Sequence, residues 1–363
     1  MKSMYLAAAI AVTATTPLYA QDGPPGGPPG GLPPGVLGQI NLGKAGLLGS
    51  FYSNDAFGTA QFRIGQGRST IGAAEAPFAP QTGYEDGASN VIVPLNALKM
   101  LPDGKSYLRF GLELNWADGS DEMIELNGDI ARLDVQYLTF PNVNTMLSIG
   151  AFYNKSNLEI VGAGTVKNDG YGLRADVLHK FAPNWGVASR IEYAWGETEL
   201  EVEAGPGMTL RHVQGDDRLY FQTEVIGAYT SDQIAGLGSW VFHPTFGMNF
   251  QRNFIEETTD SFGVSSSGVV GDTEDYGTVW AVAQFEKEVP PGQWSPSFKL
   301  GLEHEYANDL DHYVEDRNSA ILGVGLSHMD QRGNRVDLSY TRHHGLEGKR
   351  YNQALVAAFT VNF

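Results

Sequence analysis

Apolar and polar side chains alternate at every second position over long stretches of this chain. Between residues 294 and 306, one parity is mostly large and apolar, whereas the other includes Lys299, Glu303 and Glu305. Successive side chains of a β-strand point to opposite faces, so such a strand has one apolar and one charged face. The same division recurs in segments 108–116, 173–177, 187–195 and 336–341. The pattern predicts many strands of one repeated design.

The charged parity separates a soluble sheet from a membrane-spanning one. In a soluble barrel or sandwich, this parity would face solvent, and nothing would require long and short loops to alternate. In a membrane barrel, the apolar parity faces lipid and the polar parity lines the lumen. We therefore predict an all-β fold, a transmembrane antiparallel up-and-down β-barrel. The predicted lumen-facing charges are Arg109, Glu113, Arg132, Asp134, Arg174, Asp176, Arg190, Glu192, Lys299, Glu303 and Glu305.

The connections between predicted strands alternate in length. The short ones carry the turn-forming residues Pro, Gly, Asn or Asp, as in 101–105 and 331–334. The long ones contain most of the acidic excess, and this alternation is typical of tight periplasmic turns and extended outer loops. The predicted long loops are 117–129, 162–170, 196–218, 256–275 and 309–319.

The hairpins give the expected number of strands. Between residues 106 and 363 they predict twelve strands, with both ends of that domain on the periplasmic side. A further pair at 59–66 and 90–101 would make fourteen. Pro94 restricts the second of these to an edge or strained position, because proline lacks the N–H that a ladder needs. Both counts are even.

The chain starts like an exported protein. Lys2 provides a short basic start, residues 5–14 are mostly apolar, and Ala20 ends a small-residue exit. Residues 1–20 therefore resemble a secretory signal peptide, whose apolar core is too short to span a bilayer.

The chain between this leader and the barrel has two parts. Residues 21–38 are a linker rich in Pro and Gly, which suits neither a helix nor a sheet ladder. Residues 39–105 are interpreted as a plug, a pore helix or an extra strand pair before a barrel domain at 106–363. Within 39–58, the apolar residues that would form one helix face are Leu42, Ala45, Leu47, Leu48 and Phe51.

Composition excludes several classes of function. The formal net charge is −18, which argues against a nucleic-acid partner. The chain has no cysteine, so disulfides, thiolate metal sites and cysteine nucleophiles are excluded. After the leader, no stretch of about 20 apolar residues is present, which disfavours a helical membrane span.

The last twelve residues alternate strictly and end on an aromatic residue. We interpret them as the closing strand of an outer-membrane barrel and as its assembly signal. The residues of the apolar parity are Tyr351, Leu355, Ala357, Phe359, Val361 and Phe363.

The last hairpins resemble the C-terminal part of autotransporter translocator barrels. The residues that carry the resemblance are segments 320–326 and 335–341, the ending Phe359-Thr360-Val361-Asn362-Phe363, and the internal segments 170–173 and 301–306. The resemblance implies an outer-membrane location after signal-peptide-directed export, insertion by the barrel-assembly machinery, and a helix in the pore. It also implies contact with outer-membrane lipid and lipopolysaccharide. Autotransporters usually carry a large passenger, whereas only about 85 residues separate Gln21 from Ser106 here.

Three functions follow from this interpretation. The first is a translocator-type or structural pore without a large passenger, and the alternative is a diffusion porin for small solutes. A third is an omptin-like outer-membrane protease, because Asp311 and His312 lie together in an acidic outer loop. No His-x-Ser phospholipase arrangement and no spaced zinc motif occurs in the sequence. We therefore predict a protein that is not an enzyme and has no cofactor or metal.

Overall fold

The chain forms a closed β-barrel. The computed structural model describes residues 87–120, 125–142, 144–265, 273–290, 292–308, 317–348 and 351–363. Its strands are β1 (Gly87–Met100), β2 (Ser106–Ser120), β3 (Glu125–Asn142), β4 (Thr145–Ile160), β5 (Gly164–Ala182), β6 (Trp185–Gly205), β7 (Met208–Gly227), β8 (Trp240–Ile255), β9 (Thr273–Lys287), β10 (Trp294–Asn308), β11 (Asn318–Met329), β12 (Arg335–Gly345) and β13 (Tyr351–Asn362). Each strand pairs with the next one in antiparallel fashion. The described residues contain no helix long and apolar enough to cross a membrane.

The predicted alternation explains the strands. Along β4 and β13, exposed or half-buried residues alternate with buried ones almost without interruption. Large apolar side chains on the outside are exposed, among them Ile149 and Val324, whereas polar ones on the inside are buried. The fold is therefore apolar outside and polar inside, as a lipid-facing barrel requires.

The barrel prediction is confirmed, with a correction to the strand count. The described barrel has thirteen strands where twelve were predicted. The additional strand is β1, which corresponds to the predicted strand at 90–101. Its proposed partner at 59–66 lies outside the described residues, as do the leader, the linker and the segment at 39–58.

Closure of the barrel uses a parallel pair. β1 lies beside β13 in parallel, from Ala88 opposite Asn352 to Leu98 opposite Asn362. An odd number of up-and-down strands leaves the first and last strands pointing the same way, so only a parallel pair can close this barrel. The pairing lacks Val93 and Pro94, consistent with the missing N–H of proline.

Two predicted long loops are strand rather than loop. Residues 162–170 belong largely to β5, which follows a turn at 161–163, and most of 196–218 forms the ends of β6 and β7. The connection between β6 and β7 is only Pro206 and Gly207, and Gly207 has a φ of 75° that favours glycine. Because these hairpins are long, one side of the barrel is taller than the other.

The short turns lie at the opposite end. In the β1–β2 turn, the Asp103 carboxylate accepts hydrogen bonds from the backbone N–H groups of Lys105 and Ser106, at 3.0 and 2.9 Å. The Ser106 hydroxyl also donates to this carboxylate at 2.7 Å. These bonds, led by the one from the hydroxyl, lower the pKa of Asp103. We call this end the short-turn end, and the end that carries the tall hairpins the outer end.

Two apolar clusters lie on the inner face. One, near the short-turn end, contains Leu98, Tyr107, Leu138, Phe140, Met146 and Ala188. The other, at the outer end of β4–β6, contains Leu158, Ile160, Val166, Leu200 and Val202. Polar side chains line the inner face between them, and this polar layer is the candidate site.

Candidate functional site

Asp176 on β5 is the centre of a buried network. Its carboxylate accepts from Arg174 Nε at 2.9 Å, Arg190 Nε at 2.8 Å and Gln136 Nε2 at 2.6 Å. The hydroxyl of Ser148 also donates to it, at 3.1 Å. The network joins β3, β4, β5 and β6 across the inner wall, and its side chains are held in place by several partners each.

Arg132 and Glu192 form a two-pronged pair above this centre. The Arg132 guanidinium donates to both oxygens of Glu192, at 3.0 and 2.8 Å. It also lies 4.0 Å from the centre of the Phe152 ring. Glu192 is further held by Arg174 and Arg190, whose Nε atoms lie 3.8 and 3.7 Å from its Oε1. A planar guanidinium fits this arrangement of carboxylate and ring better than a lysine would.

A second pair lies beside β1. Arg109 forms a short ion pair with Asp134 and donates to Asn96 through Nε at 3.0 Å. It also donates to the side-chain oxygen of Gln136, which itself donates to Asp176. The two groups are therefore one continuous hydrogen-bonded layer.

The charges of this layer balance. It contains four arginines and four carboxylates, the fourth carboxylate being Glu113, which lies within electrostatic reach of Arg132. Buried charges are tolerated when they are paired and hydrogen-bonded, as they are here. The layer makes the β2–β6 side of the lumen rigid and electrically neutral.

The remaining predicted charges lie on the opposite side. Glu303 pairs with His343 on β12, whose Nδ1 is 3.3 Å away. Glu305 accepts from the Tyr276 hydroxyl at 3.2 Å. Lys299 is half-buried and lies within electrostatic reach of Glu224 on β7. These groups are spread along the wall, and none is joined to the Asp176 network by a hydrogen bond that we observe among the described residues.

Sequence reasoning missed several inner residues. Glu224 is fully buried, and neither of its oxygens has a hydrogen bond of normal geometry, although Trp280 and Gln222 lie close. His343 was missed as well. The available signal was parity, because Glu224 shares that of Tyr220 and Gln222 on β7, and all three are buried.

A cavity of about 480 Å³ occupies the lumen near the short-turn end. Apolar residues line part of its wall, including Met146, Leu178 and Ile226. Charged residues line the rest, including Lys299 and Asp337. The cavity lies beside the rigid layer, so the interior is blocked on one side and open on the other.

The closing strand presents its predicted face outward. Phe363 and Leu355 are 61% and 52% exposed, and Phe359 and Val361 are exposed too. Tyr351 and Ala357 are half-buried. The backbone N–H of Phe363 donates to the carbonyl of Leu98 at 2.9 Å, so the last residue is bonded to β1.

Other predicted chemistry falls elsewhere. Asp311 and His312, the proposed protease pair, lie outside the described residues. Within the part of the chain that the structure describes, no group of three or more His, Asp or Glu side chains is arranged to hold a metal ion.

Comparison with known families is decisive. The profile of the Autotransporter beta-domain family matches residues 116–341, which is more than half of the chain. The chain belongs to the Autotransporter beta-domain family. The resemblance predicted from the closing hairpins is thereby confirmed. The matched region leaves out β1 and β13, the two strands that close the barrel, and the barrels of this family are outer-membrane proteins.

Solved autotransporter domains have a similar fold at low sequence identity. The translocator domain of NalP from Neisseria meningitidis is 12% identical, with a TM-score of 0.50 over 83% of this chain and 95% of that one. The beta domain of BrkA from Bordetella is 12% identical, with a TM-score of 0.49 over 69% and 95%. The transport unit of AIDA-I from Escherichia coli is 11% identical, with a TM-score of 0.37 over 70% and 83%. No curated protein sequence matches the chain.

Proposed function

We propose that this chain is a translocator-type or structural pore of the outer membrane, without a large passenger, and with a lumen narrowed from within. The observation that carries the proposal is the layer around Asp176, which fixes one side of the lumen with paired charges. Such a layer is suited to a stable, narrow interior. The cavity of about 480 Å³ beside it has room for a segment of polypeptide.

The segment at 39–58 is the proposed occupant of the interior. It precedes the barrel directly, and its apolar residues Leu42, Leu48 and Phe51 could contact the apolar parts of the inner wall. In this proposal the linker at 21–38 serves as a tether. A chain with this occupant conducts ions poorly.

A diffusion porin is the second candidate. It is favoured by the same cavity, because its wall carries charges of both signs that could hydrate a solute path. In that case Lys299 and Asp337 would set the ion preference.

The planar-bilayer conductance of two deletion variants tests these alternatives. Deletion of 39–58 removes the proposed occupant, and we expect a several-fold larger single-channel conductance than that of the full mature chain. Deletion of 23–35 removes only Pro-Gly repeats and is the matched control, with the expected conductance unchanged. A large conductance in the full mature chain that neither deletion alters would contradict the narrowed pore and support the porin.

Export and assembly complete the proposal. We infer that residues 1–20 direct export and are removed, and that the barrel-assembly machinery recognises the closing strand. The exposed apolar face of Leu355, Phe359, Val361 and Phe363 supports this recognition. The outer surface would then contact outer-membrane lipid and, at its upper edge, lipopolysaccharide. No catalytic step is proposed.

A further inference from the structure

The polarity of the strands reverses at the outer end of β4–β7. Through most of the barrel, apolar side chains face outward. Beyond the exposed rings of Tyr153, Tyr171 and Trp195, the outward positions carry charged and polar side chains instead. Those outward residues are Lys155, Asn157, Glu159, Lys167, Asp169, Glu197, Glu199, Glu201, Glu203 and Arg211. We call this part of β4–β7, residues 155–169 and 197–213, the outer wall.

The inward face of the outer wall is apolar. Cross-strand pairing aligns Leu158 with Val166 and Val166 with Leu200, in a single row across three strands. Ile160 and Val202 lie in the next row, separated by Gly164. We call these five large side chains the inner patch. Among the described hydrophobic residues, only the half-buried Ala163 packs against them from outside the patch.

This arrangement is that of a soluble sheet with one face packed. The outward carboxylates are solvated and form exposed ion pairs, for example Glu201 with Lys167 at 3.3 Å. The inner patch, by contrast, lies at the water-filled mouth of a lumen that is polar below it. A contiguous apolar face in such a place marks a contact with another element. The five residues are each 1–5% exposed, which is the burial of a packed surface.

The geometry points to the segment at 39–58 of this same chain as the partner of the inner patch. The proposal deepens the proposed function, because it states where the occupant of the lumen lies. The occupant caps the outer mouth from above, with its apolar face against Leu158, Val166 and Leu200.

Topology places the segment at this mouth. Gly87, the first residue of β1, pairs with Ser120 at the outer end of β2. The preceding chain therefore joins the barrel at the outer end. Twenty-eight residues separate position 58 from Gly87. At about 3.3 Å per extended residue they reach any point of the mouth.

The character of the segment also fits the inner patch. Its only charged residues are Lys44 and Asp55, in contrast to the acidic outward face of the wall. Leu42, Ala45 and Leu48 are spaced three apart and would share one face of a helix. An apolar, nearly neutral segment matches an apolar seat.

Disulfide trapping tests the contact without background, because the natural chain has no cysteine. Leu48→Cys is combined with Leu200→Cys in the full chain and oxidised in outer membranes. The matched control combines Leu48→Cys with Glu201→Cys, one residue along β6 on the outward face. A third pair uses Ile226→Cys, which lines the cavity near the short-turn end. We expect at least a tenfold higher cross-linked fraction at position 200 than at position 201 or 226.

Other outcomes overturn the inference in distinguishable ways. Cross-linking at position 226 with none at 200 would place the occupant deep in the lumen, so the narrowed pore would stand and the outer cap would fail. Equal yields at 200 and 201, or links between two copies of the chain, would also overturn the cap. No cross-link at all, together with unchanged conductance on deletion of 39–58, would overturn both proposals.

Thiol labelling gives an independent measurement if a double variant assembles poorly. The single variant Leu200→Cys should react with a water-soluble maleimide at least tenfold faster when 39–58 is deleted than in the full chain. Equal rates would overturn the cap.

Discussion

At the scale of single residues, burial and pairing decide which charges matter. The inward positions of Arg132 and Glu192 follow from parity alone, and the sequence analysis named both. Their contact does not follow from the sequence, because β4 and β5 lie between β3 and β6. It depends on Gly172, where a Cβ would come within 2.5 Å of the Phe152 ring that supports Arg132. A pairing that spans intervening strands is not written in any local pattern.

Two glutamates of β6 provide a matched test of this point. Glu192→Ala leaves the buried Arg132 without its bidentate partner, and we expect a loss of about 3–5 kcal/mol in the free energy of unfolding. Glu201→Ala removes an exposed pair with Lys167, for which about 0.5 kcal/mol or less is expected. Unfolding of both variants by guanidinium in detergent gives the comparison. Equal losses would contradict the structural role of the layer.

At the scale of elements, the strand pattern was predictable but its ends were not. Residues 197–203 alternate Glu with Thr, Leu and Val, which is a strand pattern. The many glutamates nevertheless suggested a solvated loop. Charge was taken as a sign of loop, whereas on this wall the charged parity faces outward into water and the strand continues. Pro94 suggested an interrupted strand in a similar way, yet β1 accommodates it where the pairing with β13 is broken.

The closing strand carries the element-scale prediction. Phe363→Ser should lower the amount of heat-modifiable barrel in the outer membrane several-fold, because the terminal aromatic residue is proposed to be read during assembly. Phe246→Ser on β8 is the control. Its side chain is 55% exposed against 61% for Phe363, so both variants lose a similar outward contact. Normal amounts of Phe363→Ser barrel, or an equal decrease in the two variants, would refute the role as a signal.

At the scale of the whole molecule, the decisive feature is the odd number of strands. The sequence predicted the closed barrel and its family, but counting by hairpins missed β1 as a single added strand. Hairpins come in pairs, so this reasoning favours even numbers. Only the contact between β1 and β13, which are more than 250 residues apart, shows that one strand alone completes the barrel.

The odd count predicts which side of the membrane the preceding chain lies on. An epitope tag inserted immediately before Gly87 should bind antibody on intact cells, because β1 starts at the outer end. A tag inserted after Gly236, in the connection between β7 and β8 at the short-turn end, should bind only after the outer membrane is permeabilised. The reverse pattern would show that the barrel is inserted the other way up.

The unequal height of the barrel has a consequence for its depth in the membrane. β12 has 11 residues and β6 has 21. A spanning strand tilted by about 45° needs roughly 9–11 residues, so β12 has almost none to spare. The low side therefore fixes how deep the molecule can sit, as the waterline of a hull is fixed by its lowest edge. Ten more residues at about 3.3 Å and a tilt of about 40° then raise the opposite rim by about 25 Å. Neighbours in the sugar layer of the membrane would meet an acidic cliff on one flank and open lipid on the other.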